Sequence, residues 1–221
     1  MRVVEVGADR LARWCAGFAE RHGEPVAVER VAGRLVLTGA DGVTAALVPG
    51  FAWPPGLTAL PDALEWAAAP RRCAVLLVRR GGYACASIDT ARPGAAAVTA
   101  SKVGTRYVQS RTAAGGWSQQ RFARRRDNQA RDLARAVADV AVRLLLPAPG
   151  APPAVDWLVT GGDRPLVDTV LADPRLRPLH ELARGPHLVV GDPRSADVRR
   201  LPELVSVVRV EIDEPPGKQF E

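Results

Sequence analysis

Apolar positions recur at three- and four-residue steps over about residues 8–21, where Leu11, Ala12, Trp14, Cys15 and Phe18 fall on one helical face. The pattern then changes to short strand-like runs, VAVERV, RLVLTG and VTAALV, separated by glycine-containing turns. Of these turns, GADG at residues 39–42 has the chemistry of a hairpin. The next segment, PGFAWPPGLTALP, is too rich in proline and glycine to sustain a regular element and is expected to be a linker. A small N-terminal α/β unit over residues 1–60 follows, with the linker covering about 49–70.

A second unit is expected over residues 71–212, with 213–221 as a tail. It starts with CAVLLVRRGGYACASI, two β-rich runs around Gly81 and Gly82, a pair that suits a tight hairpin whose central positions take positive φ. A further strand-like run, AAVTASKVGTRYVQSR, leads into GGWSQQRFARRRDNQ. Beyond it Ala130, Leu133, Ala134, Val137, Val140, Ala141, Leu144 and Leu145 form a helical stripe, with Arg131, Asp132, Arg135, Asp139 and Arg143 off it. One amphipathic helix over about residues 118–146 accounts for this, stopped by PAPGAPP. At 1.5 Å per residue it would be roughly 40 Å long, and its apolar stripe serves only the C-terminal half. The strand VDWLVTGG, a helix over 164–172, the strand HLVVG, a short helix near 195–200 and a last strand in LVSVVRVEI complete an α/β domain with a mixed sheet.

Composition sharpens this picture in one place. The chain is 47% hydrophobic and 24% charged, as in ordinary globular proteins, and its net charge is +6. Residues 102–131 hold eight basic side chains against Asp127, a local net of +7, so the other 191 residues sum to −1. An excess confined to one segment is a charged feature with a direction rather than a means of staying soluble. No apolar run reaches the length of a membrane helix and the N-terminus lacks a signal-peptide core, so a cytoplasmic protein is expected. Cys15, Cys73 and Cys85 sit among apolar neighbours and read as buried small side chains.

The usual catalytic inventories are missing. His22, His180 and His187 share no metal-ligand spacing with one another or with the cysteines, and no metal or other cofactor is expected. GGDR at residues 161–164 reads as a tight turn with a helix cap in preference to an anion site. What remains is the basic segment. Cations at a helix N-terminus oppose the macrodipole by about 0.3–1 kcal/mol each, yet Arg121, Arg124, Arg125 and Arg126 crowd the first two turns. Arg121 and Arg125 are also a like-charged i,i+4 pair. A polyanion resolves that conflict, because phosphates neutralised by arginine release condensed counterions. Arg106, Arg111 and Arg131 extend the same basic surface, and Trp117 is placed to stack on a base or to anchor its own loop. Gly115 and Gly116 permit close backbone approach. With Ser118 as cap, the N–H groups of Gln119 and Gln120 are among the free donors of the helix start, able to hold a water or an oxyanion without an ionisable side chain.

The run KVGTRYVQSRTAAGGWSQQRFARRRDNQA resembles the catalytic loop and helix of the Vms-like release factors, in particular their actinobacterial peptidyl-tRNA hydrolase branch. That group is related to the central, RNase H-like domain of eukaryotic and archaeal class-one release factors. Its Gly-x-x-Gln motif is matched by Gly116, Trp117, Ser118 and Gln119, and VTGGDRPLVDTVLADPRL and GDPRSADVRRL fit as well. The resemblance covers about residues 70–212. It implies that the tip enters the peptidyl-transferase centre, among 23S rRNA of a large ribosomal subunit stalled with peptidyl-tRNA. There Gln119, with Gly116, Ser118 and Gln120 around it, would place water on the ester, and the chain would act as a monomer. Two alternatives stay open: a non-catalytic RNA- or ribosome-binding module, and a metal-dependent nuclease using Asp89, Asp156 and Asp163.

Overall fold

The computed structural model describes residues 1–105, 118–148 and 153–215, the side chains of residues 95 and 118–127 excepted. The chain divides into two compact units, Met1–Ala69 with Glu203–Glu221 and, between them, Pro70–Pro202.

The first unit is an antiparallel sheet of β1 (Arg2–Gly7), β2 (Ala27–Val31), β3 (Arg34–Thr38), β4 (Thr44–Pro49) and a returning strand, β10 (Val207–Asp213). The order is β1-β10-β4-β3-β2, so β10 lies between the first and fourth strands. It is in register with both, Val210 facing Val4 on one side and Leu47 on the other. The expected boundary at residue 212 therefore differs from the structure. The alternating run VVRVEI buries Val208 and Val210 in the first unit's core, where they meet Leu35, Leu37 and Leu47. Periodicity locates such a strand but does not say which sheet it joins. The helix α1 (Leu11–His22) puts Leu11, Cys15 and Phe18 into the same core, as its spacing predicts.

The proline-rich segment also departs from a linker. Phe51, Trp53 and Leu57 are buried, and α2 (Leu60–Ala68) follows with Pro61 in its first turn, where a missing N–H costs nothing. Three large apolar side chains within seven residues were reason to fold inward in spite of the local breakers. In the GADG turn, Gly42 takes φ 84° and its N–H reaches the carbonyl of Gly39, as a hairpin requires.

The second unit is a mixed sheet of β5 (Arg72–Arg79), β6 (Gly82–Asp89), β7 (Val98–Thr105), β8 (Trp157–Gly162) and β9 (Ala183–Leu188), in the order β7-β6-β5-β8-β9. The first three are antiparallel, while β8 and β9 run parallel to β5, as expected for α/β alternation. The long helix α3 (Ser118–Leu145) seats Leu133, Ala134, Val137, Ala138 and Ala141 in one cluster with Ala74, Leu76 and Cys85 of the sheet. Around this core lie α4 (Arg164–Leu171), the short α5 (Arg177–His180), and α6 (Ser195–Val205), within which the chain returns to the first unit. Arg175, between α4 and α5, grips Asp173 through two nitrogens (3.0 and 2.7 Å) and reaches Asp139 of α3 at 2.8 Å. That clamp holds Asp173 below the usual carboxylate range.

The three thiols are buried, and desolvation raises them: Cys15 to about 11, Cys73 and Cys85 to about 12. They pack as the small apolar side chains their neighbours suggest.

Candidate functional site

The approach to the basic segment is built from β6 and β7. Their register runs from Ile88 opposite Val98 to Gly82 opposite Thr105, so β7 ends beside the β5–β6 hairpin. The hairpin forms at Arg80 and Gly81, flanked by the Arg79–Gly82 pair, but neither glycine takes a positive φ. Close approach explains them instead. A Cβ on Gly82 would stand 2.8 Å from the carbonyl oxygen of Gly104, and one on Gly81 would collide with the Asp192 carboxylate, which accepts the Gly81 N–H at 3.3 Å. Gly104 in turn lies under the Tyr83 ring, where any Cβ would overlap the aromatic atoms. Tyr83 is buried in the same cluster as α3's packed seam. The last turn of backbone before residue 106 is thereby fixed by an aromatic side chain lying over a glycine.

The described part of α3 opens at Ser118, and the residue before it, on which the expected cap depends, lies outside the described residues. Ser118, Gln119 and Gln120 stand on helical backbone. No acidic residue stands in this first turn. Arg121, Arg124, Arg125 and Arg126 follow on helical backbone at the positive end of the dipole. Arg131 is exposed and donates to Asn128 Oδ1 at 2.8 Å. Arg106, Arg111, Gly116 and Trp117 lie outside the described residues. Among the described side chains of α3 the first buried one is Leu133, and the arginine-bearing turns precede it on the same helix.

The same end of the sheet carries GGDR. Gly162 has φ 88°, and a Cβ on it would meet the Val78 carbonyl; one on Gly161 would stand 2.8 Å from the carbonyl oxygen of Leu188. Asp163 donates its N–H to Val78 (2.8 Å), makes no side-chain cap bond to α4 and faces Arg80 at 3.9 Å. These glycines serve close strand packing, and the tight-turn half of the expectation describes them; the side-chain cap is not made. His187 Nε2 donates to the Gly162 carbonyl (3.2 Å), which leaves Nδ1 to accept from the Thr160 hydroxyl (2.9 Å). Sequence reasoning gave His187 no role, and its partners make it a tie between β8 and β9.

The three acids of the nuclease alternative are not brought together. Asp89 and Asp156 lie where β5 starts, Asp156 held by Arg72 at 2.9 and 3.0 Å and Asp89 facing Arg92 at 3.5 Å. Asp163 follows the far end of β8, about 20 Å away at 3.3 Å per residue. Strand alternation brings residues to one face, and here the strand's length separates them.

Residues 71–211 match the family model described as the Actinobacteria/chloroflexi VLRF1 release factor. The chain belongs to that family. The match takes in β5 to β9, α3 and most of β10, and it contains the whole of the basic segment. No curated protein matches the chain. Among solved structures it is similar to the "Vms1 mitochondrial localization core", at 11% identity and a TM-score of 0.45, covering 90% of this chain and 80% of that one. Among the described residues, no helix is long and apolar enough to cross a membrane.

Proposed function

We propose that this member of the VLRF1 release-factor family is a ribosome-dependent peptidyl-tRNA hydrolase that frees nascent chains from stalled large ribosomal subunits. The observation that carries the reading is the start of α3: Gln119 stands in a helical first turn with no acid in it, ahead of Arg121, Arg124, Arg125 and Arg126. In this reading the Gly-x-x-Gln loop of Gly116, Trp117, Ser118 and Gln119 reaches the peptidyl-transferase centre. The arginines, with Arg106, Arg111 and Arg131, neutralise phosphates of 23S rRNA and tRNA along the way.

The chemistry asks little of the protein. Water attacks the ester carbonyl carbon, the bond from that carbon to the ribose 3′ oxygen breaks, and the proton ends on the 3′ hydroxyl. Gln119 orients the water, and the free N–H groups of the first turn, Gln120's among them, favour the negative charge that develops on oxygen. Ribosomal RNA and tRNA supply the rest, which accounts for a segment with no nucleophile or base of its own. Work on ribosomes carries with it a cytoplasmic location and one copy of the chain per subunit. Release of nascent chain from purified stalled large subunits tests the proposal. Gln119→Ala should retain binding and lose release, whereas full release by that variant would reject the assignment. Binding without hydrolysis by the native chain would favour a non-catalytic RNA- or ribosome-binding module instead.

A further inference from the structure

The first unit holds a groove of about 360 Å³ lined by Glu5, Arg10, Arg13, Trp14, Gly17 and Arg21. Arg10 precedes α1 while Arg13, Trp14, Gly17 and Arg21 recur along it at steps of one to four residues, so they form one stripe beside the edge strand β1. Among the described residues, no carboxylate comes within ion-pair distance of Arg10, Arg13 or Arg21, although Glu5 lines the same groove. Three guanidinium groups against one carboxylate leave the groove cationic.

Two further features shape it. Trp14 is half-buried, stacked on Phe18 at 5.8 Å, and this contact fixes the indole that lines the groove. Gly17 sits in the middle of α1 with an ordinary helical φ, and a Cβ there would meet nothing within 4 Å. Neither backbone conformation nor packing requires glycine, which is a poor helix residue. What its missing side chain does is keep the groove open between Arg13 and Arg21.

We infer that this groove binds the backbone of a single RNA strand, giving the protein a second RNA contact apart from α3. The inference rests on the ribosomal reading above for its choice of partner. Arg10 to Arg21 span about 16 Å of helix, at 1.5 Å per residue. A nucleic-acid strand carries one charge per roughly 3.4 Å of axis, so the stripe faces several successive phosphates, whereas a small anion would engage only one end of it. A fixed indole beside that path offers a surface on which a base stacks. An acidic peptide matches the charge but gives the indole no such partner.

The full chain is titrated with a short fluorescein-labelled single-stranded RNA, and with polyglutamate as the acidic-peptide probe, at several salt concentrations. Arg10→Glu/Arg13→Glu/Arg21→Glu should weaken RNA binding at least tenfold at low salt. It should also reduce the slope of log affinity against log salt by about 2, since each phosphate contact to a single strand contributes about 0.7. Gly17→Leu fills the groove with a better helix former and should weaken RNA binding without touching a charge, which guards against misfolding of the triple variant. Unchanged affinity and slope in both variants would overturn the inference, as would polyglutamate binding as tightly as RNA and being lost with it. In the release reaction, the groove variants should raise the concentration needed for half-maximal rate and leave the maximal rate in place. Gln119→Ala should do the reverse, so failure of the groove and failure of the hydrolase reading give different results.

Discussion

From Leu133 to Leu145, α3 buries Leu133, Val137, Ala141 and Leu145 in a cluster with Leu76 and Cys85, whereas its opening turns carry Arg121, Arg124, Arg125 and Arg126 and no acid in the first turn. Both parts are continuous helix, but only one is explained by folding. A buried leucine contributes on the order of 1.5–3 kcal/mol through the area it removes from water. The arginines do the opposite: each opposes the dipole by a few tenths of a kcal/mol to about 1 kcal/mol. A helix that is stabilised at one end and burdened at the other has a second task at the burdened end. The comparison separates residues that make the fold from residues that use it.

Changes in the packed half should cost most. Leu133→Ala should destabilise the second unit by about 2–5 kcal/mol, read by denaturant unfolding, because the cavity adds to the lost transfer energy. The equivalent experiment on the other half should invert the sign. Arg124→Gln/Arg125→Gln/Arg126→Gln should leave stability unchanged or raise it by roughly 1 kcal/mol in all, while RNA binding weakens and its salt slope falls by about 2. A stability loss comparable to that of Leu133→Ala would erase the distinction between the halves.

A third test concerns the approach to the segment. Gly104→Ala pushes a methyl group into the Tyr83 ring and should cost about 1–3 kcal/mol, as overpacking does. Its effect on release should exceed that of a mutation of equal cost elsewhere in the core. Alkaline pH tests the buried thiols. Burial raises Cys73 and Cys85 from 9.0 to about 12, so the unfolded chain releases these protons first. Their stabilising contribution is whole below pH 9 and is lost as pH rises through the folded values. Unfolding midpoints should therefore fall between pH 9 and 11. At pH 8 the native thiols should resist alkylation, and all three should react in denaturant.

Much of this comparison was readable from spacing alone. The seam Leu133, Ala134, Val137, Val140, Ala141 announced both the helix and its buried face, and the charge count announced that its start had another purpose. Strand partnership was less legible. VVRVEI reads as a strand in any sheet, and only the fold shows β10 closing the first unit between β1 and β4. PGFAWPPGLTALP misled because local breakers outweighed three apolar side chains whose burial depends on distant residues. The sequence around Gly81 and Gly82 reads as a turn, but the demand on both glycines comes from Asp192 and from Gly104, contacts no local rule contains. The groove along α1 is illegible in the sequence for a similar reason, since three scattered arginines become one surface only when the helix and β1 are set side by side.

The central claim is that Gln119 places the water that cleaves peptidyl-tRNA, with the arginines serving only to bring it there. Single-turnover release from stalled large subunits, measured at saturating protein for the native chain and Gln119→Ala, tests this most directly. The expected result is a rate lower by about 10²–10³, the usual cost of removing one preorganised hydrogen-bonding group, with binding to the subunit preserved. An unchanged rate at saturation would contradict the account.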